Sequence, residues 1–453
     1  AKNNIFTKEG ANLSTKADGT LKARTVGFGG DVHADGTLTI ETDEQLAAKN
    51  ITAGGDAVLT PGTDITVNDV TVGGNLNAKA VNITAQNISA GGNAALNAET
   101  ALTAQNISAG SDLNAKAVNI TAENITAGGK ATLNAGTDLF ANNVNVSGDE
   151  NIAAGTQLTT QNVTTGGNAM LNAGTQLTAQ NVTAKGDAVL RAGADLKTLN
   201  VAAGKDTALT AEKNVSVHDV MAGGNVSLTA GHDAAIDGAV TTGGDLKARV
   251  GSDLKVNGTV LSHGMTQIDA GHDAKFNGNL TSDKDLTILA KNNIITKEGA
   301  TLYTKADGRL KAHAAELGGD VRADGTLTIE TDDTLTAKNV TAGGAATLNA
   351  GTNLTAQNVS AGGVATLNAG TDLTAQNVSA GKDAALTAGK NLSVRDVTAG
   401  GAARLNAGTN LTAQNVKAGG AATLHAGTDL TAQNVSAGGK AELTAGHDAA
   451  ING

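Results

Sequence analysis

The chain has 453 residues, of which 40% are hydrophobic, 17% charged and only 1% aromatic, and its formal net charge is −11. This thinly spread negative charge argues against nucleic acid and anionic membrane as partners. The absence of cysteine excludes disulfides and thiol chemistry. Aromatic side chains are too scarce to fill a large core, whereas thin repeated coils need only Ala, Val, Leu and Ile.

The first half of the chain opens on an irregular segment and continues as a regular array. Residues 1–48 carry K-E-G, K-A-D-G and A-D-G-T-L-T-I-E-T-D, which bring charged residues to the corners, and we predict irregular solenoid coils with small surface excursions. Residues 49–289 repeat every 18 or 19 residues, as the apolar marks at Ile51, Val70 and Ile88 show. The spacing lengthens to 20 from Val220 to Leu280, with intermediate marks at Val240 and Val260.

The second half is a shortened copy of the first. Residues 290–337 duplicate residues 1–48, and about 40 of the first 55 positions are identical between the two copies. Residues 338–453 form a second regular array, with one mark every 19 residues. We interpret all four segments as one continuous solenoid. Because the pattern is already under way at Ala1 and persists to Gly453, we expect this chain to be a segment of a longer array.

Each unit of the array is predicted to form one coil. In Gly343–Ala361, apolar residues alternate over three short stretches, which is the period of a β-strand. Gly and Asn separate these stretches, and both residues suit corners. No segment keeps a helical period, so the pattern predicts an all-β fold. We expect a right-handed parallel β-helix with about 19 residues per coil, a triangular cross-section and the form of an elongated rod.

Residues at one coil position are expected to stack into structural ladders. Two of these ladders are apolar: Leu348, Leu367, Leu386, Leu405, Leu424 and Leu443, and Val359, Val378, Val416 and Val435. A third ladder, interrupted by Asp396, contains Asn358, Asn377, Asn415 and Asn434. Its amides can bond to the copies above and below, and we predict that this ladder points inward.

Other conspicuous residues are better explained as parts of turns than as sites. The Gly-His-Asp triplets Gly231–Asp233, Gly271–Asp273 and Gly446–Asp448 place His beside Asp, as a metal site would, but each occupies a corner filled elsewhere by Gly-Thr-Asp. Calcium-binding repeats are absent, and Asn-x-Ser/Thr sequons follow from the corner geometry. The scattered acids and the lone Tyr303 do not form a catalytic constellation. We therefore predict no catalytic residues, no metal, no cofactor and no enzymatic activity.

The unit A-G-G-x-A-x-L-x-A-G-T-D-L-T-A-Q-N-V and the variant A-G-H-D-A at Ala230–Ala234 resemble the repeats of filamentous haemagglutinin-type exoproteins. This resemblance covers essentially the whole chain. It implies the shaft of a filamentous adhesin or of a contact-dependent inhibition protein, exported by two-partner secretion through an outer-membrane transporter to the Gram-negative cell surface or beyond. A distal binding or toxin module would lie outside this chain.

Two other functions stay open at this stage. The lateral face itself is a candidate binding module for glycan, matrix or neighbouring fibres in adhesion or biofilm, with end-to-end or lateral self-association. A carbohydrate-active enzyme is the third and weakest alternative. The repeat does not identify the receptor, the effector, the total length, the filament state, the glycosylation or the source organism.

Overall fold

A computed structural model describes residues 2–452, and it divides the chain into two compact units. Unit 1 comprises Ala1–Val217 with Ala222–Gly224, and unit 2 comprises His218–Met221 with Asn225–Gly453. All regular elements in the described residues are β-strands, numbered here in chain order. Within the same range, no helix is long and apolar enough to cross a membrane.

Strands β1 to β22 lie in unit 1: Ile5–Phe6, Leu13–Thr15, Gly19–Ala23, Val26–Gly27, Val32–Ala34, Leu38–Thr42, Leu46–Ala53, Ala57–Pro61, Asp64–Val72, Leu76–Ala90, Ala94–Ala109, Leu113–Ala117, Asn119–Ala127, Ala131–Ala135, Leu139–Val146, Glu150–Ala154, Gln157–Thr165, Ala169–Ala173, Gln176–Ala184, Ala188–Ala192, Asp195–Ala203 and Thr207–Ala211. Strand β23 is Val215–Ala222.

Strands β24 to β51 lie in unit 2: Val226–Ala230, Ala234–Ile236, Val240–Thr242, Leu246–Val250, Leu254–Val256, Val260–Ser262, Thr266–Ala270, Ala274–Phe276, Leu280–Ser282, Leu286–Ala290, Asn293–Thr296, Thr301–Thr304, Gly308–Ala312, Ala314–Ala323, Leu327–Thr331, Leu335–Ala342, Ala346–Ala350, Leu354–Ala361, Ala365–Ala369, Leu373–Ala380, Ala384–Ala388, Leu392–Ala399, Ala403–Ala407, Leu411–Ala418, Ala422–Ala426, Leu430–Ala437, Ala441–Ala445 and Ala449–Ile451.

Within each unit, a strand pairs in parallel with its copy one coil later. Leu348 in β40 pairs with Leu367 in β42, which in turn pairs with Leu386 in β44. Paired residues are therefore separated in the chain by one coil length, as read from the repeat. Thr371 N–H donates to the carbonyl of Thr352 at 2.8 Å, which shows how the hydrogen bonds run from coil to coil also at the corners. The predicted all-β parallel solenoid of about 19 residues per coil is confirmed.

Two strands make up a nineteen-residue coil, because the longer strand continues through a bend. Strand β41 shows the alternation buried, exposed, buried, exposed and then, after a second exposed residue, buried again. The doubled exposed position is Gln357-Asn358, where the strand turns from one face of the coil to the next. A strict alternation would place one of these two residues inside, so the bend is what keeps both polar side chains out of the core.

The core consists of small and branched apolar side chains. Leu348 and Leu367 are both 0% exposed, and the alanines that flank each of them in the short strands are also buried. Burying one such leucine contributes about 1.5–3 kcal/mol relative to leaving it in water. Because the same contribution recurs in each regular coil, the stability of such an array is approximately a sum over coils and their interfaces.

Asp and Asn side chains at the corners cap backbone groups of the following coil. Asn75 Oδ1 accepts from Asn93 N–H at 2.9 Å, and Asn93 Oδ1 accepts from Asp112 N–H at 3.0 Å. Asp112 continues the column by accepting from Lys130 N–H at 2.7 Å. The sequence interpretation treated such residues as local turn formers, and the structure corrects the direction, since the bonded amide is one coil away.

Glycine is required at the corners where coils approach closely. A Cβ added to Gly370 would lie 1.9 Å from the carbonyl oxygen of Gly351, the equivalent glycine of the preceding coil. A different requirement holds in the two irregular segments, where Gly10 and Gly299 have φ of 76° and 85°. Only glycine adopts this left-handed backbone without cost, so it ends the Lys-Glu-Gly turn in both copies.

The twenty-residue coils use their extra residue to open a third corner. Val226–Ala230, Ala234–Ile236 and Val240–Thr242 are separate strands, and Val226 pairs with Leu246 one coil later. The inward hydroxyl of Ser262 in these coils donates to the backbone carbonyl of Gly244 at 3.0 Å, whereas that of Thr266 has no partner among the described residues. Polar residues are therefore tolerated inside when a carbonyl lies within reach.

Candidate functional site

The apolar ladders occupy the core except at their last members. Leu348, Leu367, Leu386, Leu405 and Leu424 are at most 1% exposed, and Val359, Val378 and Val416 are at most 2% exposed. Leu443 and Val435, predicted to be buried like the others, are instead only half-buried. Both lie in the last coils of the described residues, where fewer later strands cover them.

The asparagine ladder forms, but its predicted inward orientation is wrong. Asn358, Asn415 and Asn434 are exposed, and Asn377 is half-buried. Each amide donates to the coil before it, with Nδ2 to Oδ1 distances of 2.7 Å from Asn377 to Asn358 and 2.8 Å from Asn434 to Asn415. The ladder stands outward because it lies at the bend of the long strand.

Asp396 interrupts this ladder, and Arg395 compensates for the interruption. A carboxylate only accepts, so Asp396 receives a bond from Asn415 Nδ2 at 2.5 Å but cannot donate to Asn377. Arg395 Nη2 donates to Asn377 Oδ1 at 2.8 Å, and its Nε donates to Asp396 Oδ2 at 2.9 Å. Hydrogen bonds from Asn415 and Arg395 lower the pKa of Asp396 below its ordinary value. The asparagine ladder therefore remains connected by hydrogen bonds where Asp396 replaces an asparagine.

The Gly-His-Asp triplets lie at corners, as the sequence predicts, and two of them lie within reach of a second acid. Asp253, His272 and Asp273 offer ligand atoms within 4.8 Å of one another, and so do Asp429, His447 and Asp448. His272 Nδ1 lies 2.8 Å from Asp253 Oδ1. This neighbour belongs to the preceding coil, so the juxtaposition results from stacking rather than from the triplet alone.

The carboxylate of Asp273 is already surrounded by donors. Lys275 Nζ lies 3.0 Å away, Asn292 Nδ2 donates at 2.9 Å, and the backbone N–H of Asn293 donates at 3.1 Å. Burial alone would raise the pKa of Asp273, but these hydrogen bonds lower it below its ordinary value. The geometry is that of a corner residue that caps the next coil, which favours the structural role.

One polar core residue escaped the sequence interpretation entirely. Glu150 is 2% exposed, and neither carboxylate oxygen has a hydrogen-bond partner among the described residues. Desolvation raises its pKa from 4.5 to about 8. In the register, Glu150 pairs with Ala131 before it and Ala169 after it. Aligning G-D-E-N-I-A-A-G with the repeat would have revealed an acid at an inward alanine position.

The coil geometry and its ladders can be compared with known families. The family model described as hemagglutinin repeat matches residues 114–259. This stretch is similar to hemagglutinin repeats, and the match covers less than half of the chain. No curated protein and no solved structure matches the chain.

The match supports a structural interpretation of the site. Hemagglutinin repeat proteins are secreted or surface-exposed adhesins and are not a known enzyme family. The repeat together with the solenoid fits the shaft of a filamentous adhesin. The candidate site is therefore the stacked array itself, with its buried apolar ladders and its outward asparagine ladder.

Proposed function

We propose that the chain is the structural shaft of a bacterial surface or secreted filamentous adhesin, which presents a distal binding or toxin module away from the cell. The observation that carries this proposal is that the parallel register repeats from coil to coil, as between Leu133, Ile152 and Leu171, within the stretch that matches the hemagglutinin repeat. Continuous backbone bonding and stacked apolar ladders resist local unfolding, which is the property that a spacer needs.

The same proposal places the protein outside the cell. Hemagglutinin repeat proteins are associated with two-partner secretion, so an outer-membrane transporter is the proposed export partner. Localisation at the Gram-negative outer membrane or beyond follows from that route. In this function the coils contribute distance and stiffness, and no step of catalysis is assigned to them.

In-frame removal of whole coils in the producing bacterium tests the shaft function. Deleting residues 343–361, one nineteen-residue unit, joins equivalent corners and should preserve the register. We expect surface display to persist, and adhesion or toxin delivery to decline gradually as more units are removed, whichever units are chosen. Deleting nine residues from the same unit breaks the phase and serves as the matched control for misfolding.

A dependence on which coils are removed, at constant total length, would refute the spacer. That result would instead support the lateral binding module. Loss of display after a single in-phase deletion would contradict the shaft as well, because it would mean that the coils are not interchangeable.

A further inference from the structure

A cleft of about 600 Å³ lies at the second irregular segment, residues 290–337, in unit 2. Its lining includes Lys297 and Glu298 from the Lys-Glu-Gly turn, Glu316 from β37, Thr336 from β39 and Gln357 from β41. The turn leaves the coil at Lys297, and Gly299 returns it with φ of 85°. The cleft is therefore formed where this excursion stands beside the outer faces of later coils.

An ion pair connects the excursion with a later coil beside the cleft. Glu298 Oε1 lies 2.5 Å from Lys338 Nζ, although the two residues are 40 positions apart in the chain. At about 19 residues per coil, this contact spans two coils. In the first copy, the equivalent residues Glu9 and Lys49 make no ion pair with any residue in the described range. The second copy thus holds its turn in a way that the first does not.

The two copies differ at the residue pair beside the turn. In the first copy, Phe6 pairs with Gly27, and a Cβ added to Gly27 would lie 2.6 Å from the Phe6 ring. In the second copy, the equivalent pair is Ile295 and Glu316. A glutamate cannot stand beside the phenylalanine as placed in the first copy. The substitutions therefore exchange a ring packed on backbone for a carboxylate at the cleft.

The lining combines one free cation, one free anion and neutral polar groups. Lys297 and Glu316 make no ion pair with another residue in the part of the chain that the structure describes. Thr336, Thr355 and Gln357 add hydroxyl and amide groups, which both donate and accept. Apolar groups such as the half-buried Ile295 also line the cleft and can contact the carbon faces of a ligand. A single free cation suits one carboxylate rather than a polyphosphate.

We propose that this cleft binds an acidic sugar, a hexuronic acid residue within an oligosaccharide. The sugar carboxylate pairs with the Lys297 ammonium, and sugar hydroxyls donate to the Glu316 carboxylate. Thr336, Thr355 and Gln357 bond to the remaining hydroxyls, and the Glu298–Lys338 pair holds the turn in place. This inference goes beyond the shaft function, since it assigns recognition to one irregular segment, and either proposal can fail without the other.

Calorimetric titration of the full chain with a glucuronic-acid-containing disaccharide tests the inference. The expected result is one site per chain, with much weaker binding of the neutral disaccharide in which a hydroxymethyl group replaces the carboxylate. Lys297→Ala and Glu316→Gln should each weaken binding about five- to tenfold. Lys255→Ala, at an exposed lysine outside the cleft, is the matched control and should change nothing.

A double substitution provides the decisive variant. Ile295→Phe with Glu316→Gly reproduces the residue pair of the first copy, so the fold should be retained and circular dichroism should be unchanged. We expect this variant to lose binding. The proposal is overturned if the wild type does not bind at millimolar disaccharide, if the neutral sugar binds equally well, or if the double variant binds as the wild type does.

Discussion

Two coils of the same length place different residues in their cores. In unit 1, the coil that contains β16 and β17 turns Glu150, Thr160 and Thr165 inward. In unit 2, the coil that contains β42 and β43 has Ala365, Ala375 and Ala380 at the equivalent positions, and all three are buried. The strands and registers are alike, so the backbone ladder sustains the coil even where its interior is polar.

The difference shows which polar groups a coil accommodates. The hydroxyl of Thr165 donates to the carbonyl of Gly148, so its burial is compensated. Glu150 and Thr160 have no partner among the described residues. A buried polar group without a hydrogen bond costs about 1–3 kcal/mol, and a charged one costs more. We infer that the Glu150 coil is the weaker of the two.

The largest expected effect is the pH dependence of the stability of the Glu150 coil. The pKa of Glu150 is raised from 4.5 to about 8, so between these values the unfolded chain releases a proton that the folded coil keeps. The free energy of unfolding of this coil is therefore highest below pH 4.5. It falls as pH rises through 8, by up to about 5 kcal/mol. Glu150→Ala should remove this loss and stabilise the coil most at alkaline pH.

Hydrogen exchange at the amides of β16, corrected for its intrinsic pH dependence, measures the local opening free energy. Glu150→Gln keeps the size but not the charge, and it should also abolish the pH dependence. Glu123→Gln, at an exposed acid in unit 1, is the matched control. A wild-type profile equal to that of Glu150→Ala from pH 5 to 9 would contradict the buried, neutral carboxyl.

A cavity in the apolar coil should produce the next largest effect. Leu367→Ala removes a side chain that is 0% exposed and is expected to destabilise its coil by about 3 kcal/mol. Thr366→Ala changes the neighbouring, outward-facing residue of the same strand and should cost less than about 0.5 kcal/mol. Hydrogen exchange in β42 and denaturant unfolding would measure both, and equal losses would show that the leucine ladder does not carry the stability.

The glycine corner offers a test in which the two coils should behave alike. A Cβ added to Gly155 would lie 2.0 Å from the carbonyl oxygen of Gly136, and one added to Gly370 would lie 1.9 Å from that of Gly351. Gly155→Ala and Gly370→Ala should therefore each cost about 2 kcal/mol, through a forced backbone shift. Chemical unfolding of the two single variants checks this. A much smaller cost in the Glu150 coil would mean that its corner is already displaced.

The repeat predicts most of this architecture because one coil determines the next. The positions of Leu348 and Leu367 follow from a fixed spacing and a period of two, and the structure places both in the core. The orientation of Asn358 did not follow, because alternation counted from Gln357 puts it inside and alternation counted from Val359 puts it outside. Only the bend in the strand decides between them, and a periodic pattern contains no bend.

Departures from the repeat were harder to interpret than the repeat itself. The burial of Glu150 was detectable by alignment, but its missing partners depend on which carbonyls lie within reach in three dimensions. The cleft beside Lys297 is lined in part by Ile295 and Glu316, at positions where the first copy has Phe6 and Gly27. A resemblance of about 40 positions in 55 draws attention to the shared residues, whereas Ile295 and Glu316 are two lining residues that the copies do not share.

The smallest expected effect lies on the outer surface of the apolar array. Asn377→Ala removes a donor to Asn358 and an acceptor for Arg395, so both lose a partner that is 2.7–2.8 Å away. Because these groups retain contact with water, we expect a loss of only about 1 kcal/mol. Gln376→Ala, at the exposed neighbouring position, should be nearly neutral. Hydrogen exchange at the amides of β43 measures the effects of the two variants. A loss as large as that of Leu367→Ala would mean that the outward amide ladder, rather than the apolar core, sets the strength of these coils.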